Sequence, residues 1–201
     1  MTLEDYYGDF LESLEKGKDY LEQLAGQYPV RETEDGIQPV IYVKSRIKTP
    51  ESAIKKLEKK GLASDGAAAI KGIYDTIGMR IICSFEEEVY HIARWLRQRE
   101  DIHIIEEKDY IAYPKPNGYR SLHLIVRFTK KELQGLTAEI QIRTIAIDFW
   151  AVLEHQLKYK QKVLHEDIVK KELKRCADEI ASVDLSMQTI RELLRNEFMI
   201  L

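Results

Sequence analysis

The chain has 201 residues, 44% hydrophobic and 32% charged, the balance of a folded globular protein. A formal charge of −3 supplies no overall basic attraction to nucleic acid, so RNA binding is not indicated. No apolar run is long enough to span a bilayer or to read as a leader, which points away from membranes and toward the cytoplasm.

Leu3, Tyr7, Phe10, Leu14, Leu21 and Leu24 recur at helical spacing, broken at Gly17, and predict one long amphipathic helix over 1–26. Asp35-Gly36 and Pro39 mark a turn, after which Val40 to Val43 read as a short strand. Thr49 as cap, Pro50 at the first position and Gly61 at the end frame a helix rich in lysine. The small residues of "SDGAAA", from Ser64, read as a mobile loop. "IGMRIICSF" and "DIHIIEE" read as strands separated by the helix "EEEVYHIARWLRQRE". Cys83 in the first of these strands and Cys176 near the C-terminus make neither a disulfide framework nor a metal site.

Next comes "DYIAYPKPNGYRSLH", Asp109 to His123. Pro114 and Pro116 exclude regular helix or central strand, and Asn117-Gly118 signals a turn. The following strand sets Leu122, Leu124 and Val126 on one face and Ser121, His123 and Ile125 on the other. The turn therefore holds Lys115, Tyr119, Arg120 and His123 near one mouth of a sheet, a place suited to an aromatic, negatively charged ligand. In "TAEIQIRT", Glu139, Gln141 and Arg143 share one face and Ile140 and Ile142 the other. The helix "IAIDFWAVLEHQLKYK" carries His155 two turns beyond Asp148, on a side that could face the same cleft. These strands alternate, so a mixed or antiparallel sheet flanked by helices follows, an α/β (α+β) fold. In the tail, Val169, Leu173, Cys176, Ile180, Val183, Met187, Ile190 and Leu194 alternate steps of four and three. That is a heptad-type seam, on a helix over 165–198 that suits either its own domain or a subunit contact.

Chemistry-bearing residues gather in few places. Lys44, Arg46, Lys48, Lys55, Lys56, Lys59 and Lys60 form a basic cluster that is either a solvated face or a cradle for a polyphosphate. Asp75, just ahead of a strand, and Glu139, inside one, are each either structural ion-pair partners or ligands for Mg²⁺ with bound phosphates. Together with the tyrosine turn they favour phosphoryl-transfer chemistry. There is no Walker A loop, Gly-rich dinucleotide fingerprint, G-x-S-x-G or H-E-x-x-H. His91, His103, His155 and His165 are not spaced as metal ligands and suit structural or surface roles.

Four motifs, "YVKSRIKTPESAIKKL", "YDTIGMRII", "DYIAYPKPNGYRSLHL" and "AEIQIRTIAIDFWAVLEH", together resemble the synthetase domain of RelA/SpoT-type alarmone synthetases over about residues 40–160. The resemblance implies a nucleotidyltransferase-like mixed sheet and one synthetase domain over 1–201, with the terminal helices in oligomer contacts. No His-Asp dipeptide of the family's hydrolase domain is present, so the chain looks like a stand-alone small synthetase of the type found in Firmicutes, without hydrolase activity. The implied reaction moves the β,γ-diphosphate of ATP to the 3′-hydroxyl of GDP or GTP, making ppGpp or pppGpp and AMP. A toxin-like relative that pyrophosphorylates the tRNA 3′ end is the alternative.

By the same resemblance Arg46 and Arg80 sandwich the adenine, and Lys48, Lys56 and Lys59 hold ATP phosphates. Asp75 binds Mg²⁺, while Glu139 assists the metal and activates the 3′-hydroxyl. Tyr119 stacks on guanine, and Lys115, His123, Gln141, Asp148 and His155 line the nucleotide cleft. Asp148 stands where close small synthetases often carry Asn. Some such enzymes are tetramers activated by an alarmone in a central cleft near "VIYVKS", where Lys44 departs from the small polar residue of that site.

Overall fold

The computed structural model describes residues 1–29, 36–159 and 166–198; Asp35 and His165 lie outside the described residues. Strands β1 (Val40–Ile47), β2 (Ile77–Cys83), β3 (Ile102–Asp109), β4 (Leu122–Phe128) and β5 (Thr137–Thr144) form a sheet in the order β1-β2-β5-β4-β3. β2 and β5 run parallel and every other neighbouring pair antiparallel, so the sheet is mixed as expected. Around it stand α1 (Leu3–Tyr7), α2 (Phe10–Gly26), α3 (Pro50–Lys59), α4 (Gly66–Gly72), α5 (Glu86–Arg97), α6 (Ile145–Tyr159) and α7 (Glu166–Phe198). Among the described residues no helix is long and apolar enough to cross a membrane.

Side-chain alternation gives the sheet one apolar and one polar face. Met79, Ile81, Leu122, Leu124, Val126, Ile140 and Ile142 turn toward α2 and α5 and join Leu14, Leu21, Leu24, Val89, Ile92 and Leu96 in one buried cluster. Each fully buried aliphatic side chain there contributes about 1.5–3 kcal/mol of transfer free energy. The opposite face carries the polar residues.

Three expectations need correction. The N-terminal helix is broken at Gly8, whose φ is 49°, and not at Gly17, which is buried inside α2 against Ile77. "SDGAAA" opens α4: the Asp65 carboxylate accepts from the Ala68 amide at 2.7 Å, and the alanines behind this cap are strong helix formers. The first strand continues past Val43 to Ile47 because Lys44 and Arg46 pair with Arg80 and Gly78 across to β2.

The heptad seam divides. Leu173, Cys176 and Ile180 pack with Ala177 against Trp150 and Tyr119, whereas Val183, Met187, Ile190 and Leu194 are about half exposed. In this second half a polar stripe faces the protein. Asp184 accepts from the Thr144 hydroxyl at 2.5 Å, Arg191 pairs with Glu88 at 3.2 Å and Arg195 with Glu87 at 3.1 Å. An apolar periodicity marks which residues dislike water, and here charged residues one position away bury more fully.

α7 also grips the turn before β4. Gly118 donates its amide to the Lys115 carbonyl at 2.8 Å, with Pro116 and Asn117 at the corner. Gly118 alone in this turn takes a positive φ, 87°, and a Cβ there would stand 2.6 Å from the Ala177 Cβ. Arg120 points away from the turn's mouth, contrary to expectation, and pairs with Asp178 at 3.1 Å. Gly118→Ala should therefore cost about 2–4 kcal/mol, from left-handed backbone plus overpacking, read as a lower urea midpoint with an unchanged slope.

Candidate active site

Register sets the polar face out in rungs. Lys44, Arg80, Gln141 and His123 stand side by side on β1, β2, β5 and β4, and Arg46, Gly78, Glu139 and Ile125 form the next rung. Lys44, Arg46, Asp75, Arg80, Glu139 and Gln141 line one cleft on this face. Gly78 adds no side chain to its floor, where a Cβ would meet only Arg46, at 3.8 Å or more.

Asp75 sits in the loop entering β2. One oxygen, Oδ2, accepts from Lys48 Nζ at 2.8 Å and Lys56 Nζ at 2.9 Å, so β1 and α3 send their cations to the same carboxylate. The other, Oδ1, is buried with no hydrogen-bond partner. Burial raises the Asp75 pKa, but the hydrogen bonds and charges of Lys48 and Lys56 outweigh it and hold the group below the ordinary carboxylate range. Lys59, one turn beyond Lys56, is exposed. Lys60 turns aside to the Gly72 carbonyl at 2.8 Å.

On the neighbouring strands five side chains close a circuit. Arg143 Nη2 donates to the Tyr119 hydroxyl at 2.6 Å, and that hydroxyl meets His123 Nε2 at 2.8 Å. His123 Nδ1 reaches Glu139 Oε1 at 3.1 Å, Gln141 Nε2 donates to Glu139 Oε2 at 2.7 Å, and Arg143 Nη2 donates to Gln141 Oε1 at 2.9 Å. The directions agree if His123 carries its proton on Nδ1 and accepts from Tyr119 at Nε2. Burial raises the Glu139 pKa, yet His123, Gln141 and the charge of Lys56 bring it down to about 2. Lys115 Nζ lies 4.8 Å from the Tyr119 ring centre and 4.3 Å from that of Tyr110, a cation on an aromatic corner.

Arg46, Asp75, Arg80, Glu139 and Gln141 are thus brought into one cleft with Lys48 and Lys56 behind it, and Lys115, Tyr119 and His123 form the adjoining corner. Asp148 does not line the cleft. It is 5% exposed, and it binds Arg80, Arg143 and Tyr42. His155 is exposed, two turns further along α6, and is not among the cleft-lining side chains. Arg143, Tyr42 and Tyr110 were not expected as site residues. Period-two spacing from Glu139 and Gln141, and from Lys44 and Arg46, pointed to the first two; Tyr110 had no signal beyond its place before the turn.

Comparison with known proteins gives a consistent result. Residues 45–163 match the family profile described as the region found in RelA / SpoT proteins. The GTP pyrophosphokinase YwaC of Bacillus subtilis is 44% identical over 163 residues, covering 78% of this chain and 76% of that protein. Small alarmone synthetase 1 from Bacillus subtilis bound to its product pppGpp superposes with a TM-score of 0.80 at 33% identity, covering 91% of this chain and 95% of that one. The same enzyme bound to AMPCPP gives 0.72 at 27% identity, covering 93% and 96%.

Glu139 titrates lower in the folded protein than its ordinary 4.5, so its partners stabilise the fold fully above about pH 4.5 and lose that contribution as pH falls toward 2. Glu139→Gln should flatten the acid limb of unfolding free energy against pH, measured by urea titration. An unaltered limb would remove Glu139 from the acid response.

Proposed function

The chain belongs to the RelA/SpoT family, and from that premise and the geometry of the cleft we propose that it is a GTP pyrophosphokinase. It moves the β,γ-diphosphate of ATP to the 3′-hydroxyl of GDP or GTP, forming ppGpp or pppGpp and releasing AMP. The observation that carries this reading is the pair of carboxylates, Asp75 and Glu139, in a cleft whose other charged lining is cationic. That a similar enzyme holds pppGpp as product, and AMPCPP in another structure, supports nucleotide polyphosphates as ligands here.

Arg46 and Arg80 take the adenine against their planar guanidinium groups, above the bare floor at Gly78. Lys48, Lys56 and Lys59 hold the donor phosphates. Asp75 and Glu139 fit Mg²⁺: Asp75 offers a buried oxygen with no hydrogen bond, and this cation is held by one or two carboxylates plus phosphate oxygens. Bound there, the ion supplies charge neutralisation on the diphosphate. Tyr119 stacks on the guanine, with Lys115, His123 and Gln141 around it. Glu139, ionised at neutral pH, accepts a hydrogen bond from the 3′-hydroxyl and aims it for in-line attack.

The test is separation of nucleotides after incubation with ATP, Mg²⁺ and GDP or GTP. A 3′-pyrophosphorylated guanosine should form with equimolar AMP, and Asp75→Asn and Glu139→Gln should each lower the rate by at least about a hundredfold. No product from either acceptor would overturn the reading, and labelling of tRNA by ATP would replace it.

We further place a homotetramer on the terminal helices, around the exposed apolar residues Val183, Met187, Ile190 and Leu194 of α7. Sedimentation should give the mass of four chains, and Met187→Glu with Ile190→Glu should reduce it. A concentration-independent monomer would refute the assembly.

A further inference from the structure

We propose that Asp148 is a positioning residue that fixes the Arg80 guanidinium in the donor half of the cleft and ties it to the acceptor corner, without reading either base. The inference rests on the pyrophosphokinase reading. It assigns the carboxylate a role different from contact with a nucleotide.

Both Asp148 oxygens are occupied inside the protein. Oδ1 lies 3.1 Å from Arg80 Nη1 and 3.1 Å from Arg143 Nη1, and Oδ2 accepts from the Tyr42 hydroxyl at 2.7 Å. Three of the carboxylate's four acceptor sites are thus filled, and with 5% of the residue exposed little of it is open to a base edge. The two arginines it holds differ in how they are secured. Arg143 also donates to Ser121 at 3.2 Å, to Tyr119 at 2.6 Å and to Gln141 at 2.9 Å, and so keeps its place without Asp148.

Arg80 has no such reserve. Its Nε is buried with no hydrogen-bond partner, its one ion pair among the described residues is with Asp148, and a third of its side chain is exposed. One negative charge thus stands between two guanidinium groups that repel each other. Without that charge, Arg143 stays and Arg80 moves. The loss falls on the donor nucleotide, because Arg80 lines the cleft beside Arg46. Tyr42 enters from the edge strand and holds the second oxygen, which sets the plane of the carboxylate.

Asp148→Asn keeps the size and an acceptor oxygen but removes the charge, and Tyr42→Phe removes only the third contact. The experiment measures calorimetric affinity for AMPCPP, KM for ATP and for GTP, and the preference for GTP over ITP, in folded variants checked by thermal melting. Asp148→Asn should weaken AMPCPP binding and raise the KM for ATP about tenfold, as expected for a lost charge-assisted contact. The KM for GTP should stay within about twofold and the preference for GTP over ITP should not change. Tyr42→Phe should shift the same quantities in the same direction by about two- to threefold, and it carries the test if the Asn variant does not fold. Arg80→Ala should add little in the Asp148→Asn background.

Unchanged AMPCPP affinity in Asp148→Asn would overturn the proposal. If the GTP preference collapsed at the same time, Asp148 would be a guanine reader. If the wild type itself made no product from GDP or GTP, the pyrophosphokinase reading would fall, and the AMPCPP affinities would still decide for or against Asp148 as the anchor of Arg80.

Discussion

One buried guanidinium organises the polar face of the sheet. Arg143 is 3% exposed and spends its donors on Ser121, Asp148, Tyr119 and Gln141, which reach it from β5 itself, α6 and the strand and turn at the start of β4. An arginine tolerates such burial only when its fork of N–H groups meets acceptors in fixed directions, and a lysine in its place, with three donors on one nitrogen, could not serve all four acceptors. The corner formed by Tyr119, His123 and Glu139 is cross-linked for this reason. Tyr119 is held through its hydroxyl, His123 is held through Tyr119, and Glu139 is held through both His123 and Gln141.

The lysine side of the cleft is built on a different principle. Arg46 and Lys44 are exposed cations on an edge strand, Lys59 is exposed one turn beyond Lys56 on α3, and Lys48 and Lys56 lean on a single oxygen of Asp75. Like charges brought this close oppose folding unless a counter-charge is near, and among the described residues Asp75 is the carboxylate that ion-pairs with both lysines. Under the proposed function, the donor's polyphosphate supplies further negative charge to this side. One side of the cleft is therefore fixed by a closed circuit of hydrogen bonds, and the other rests on one shared carboxylate.

The sequence made the sheet and the central residues readable because period-two alternation and register are local consequences of backbone geometry. Glu139, Gln141 and Arg143 had to share one side of β5, Lys44 and Arg46 had to share one side of β1, and register brings both to the same face of the sheet. Three features were not readable for physical reasons. α4 depends on a single cap at Asp65 ahead of residues too small to show an apolar stripe. The second half of α7 buries Asp184 and Arg191 where the apolar seam suggested the opposite face. The burial of Asp148 follows from partners 68 and 106 positions away for Arg80 and Tyr42, and no local pattern encodes such pairings.

During synthesis on the ribosome, β1 through α6 emerge before α7, the helix that braces the turn carrying Tyr119. Until Ala177 closes on Gly118 and Asp178 on Arg120, that turn lacks its outer support, although every residue of the cleft has already been made. The order of elements along the chain thus sets the brace apart from what it braces: a polypeptide interrupted before α7 carries both carboxylates and all the lysines of the cleft without the helix that holds the Tyr119 turn.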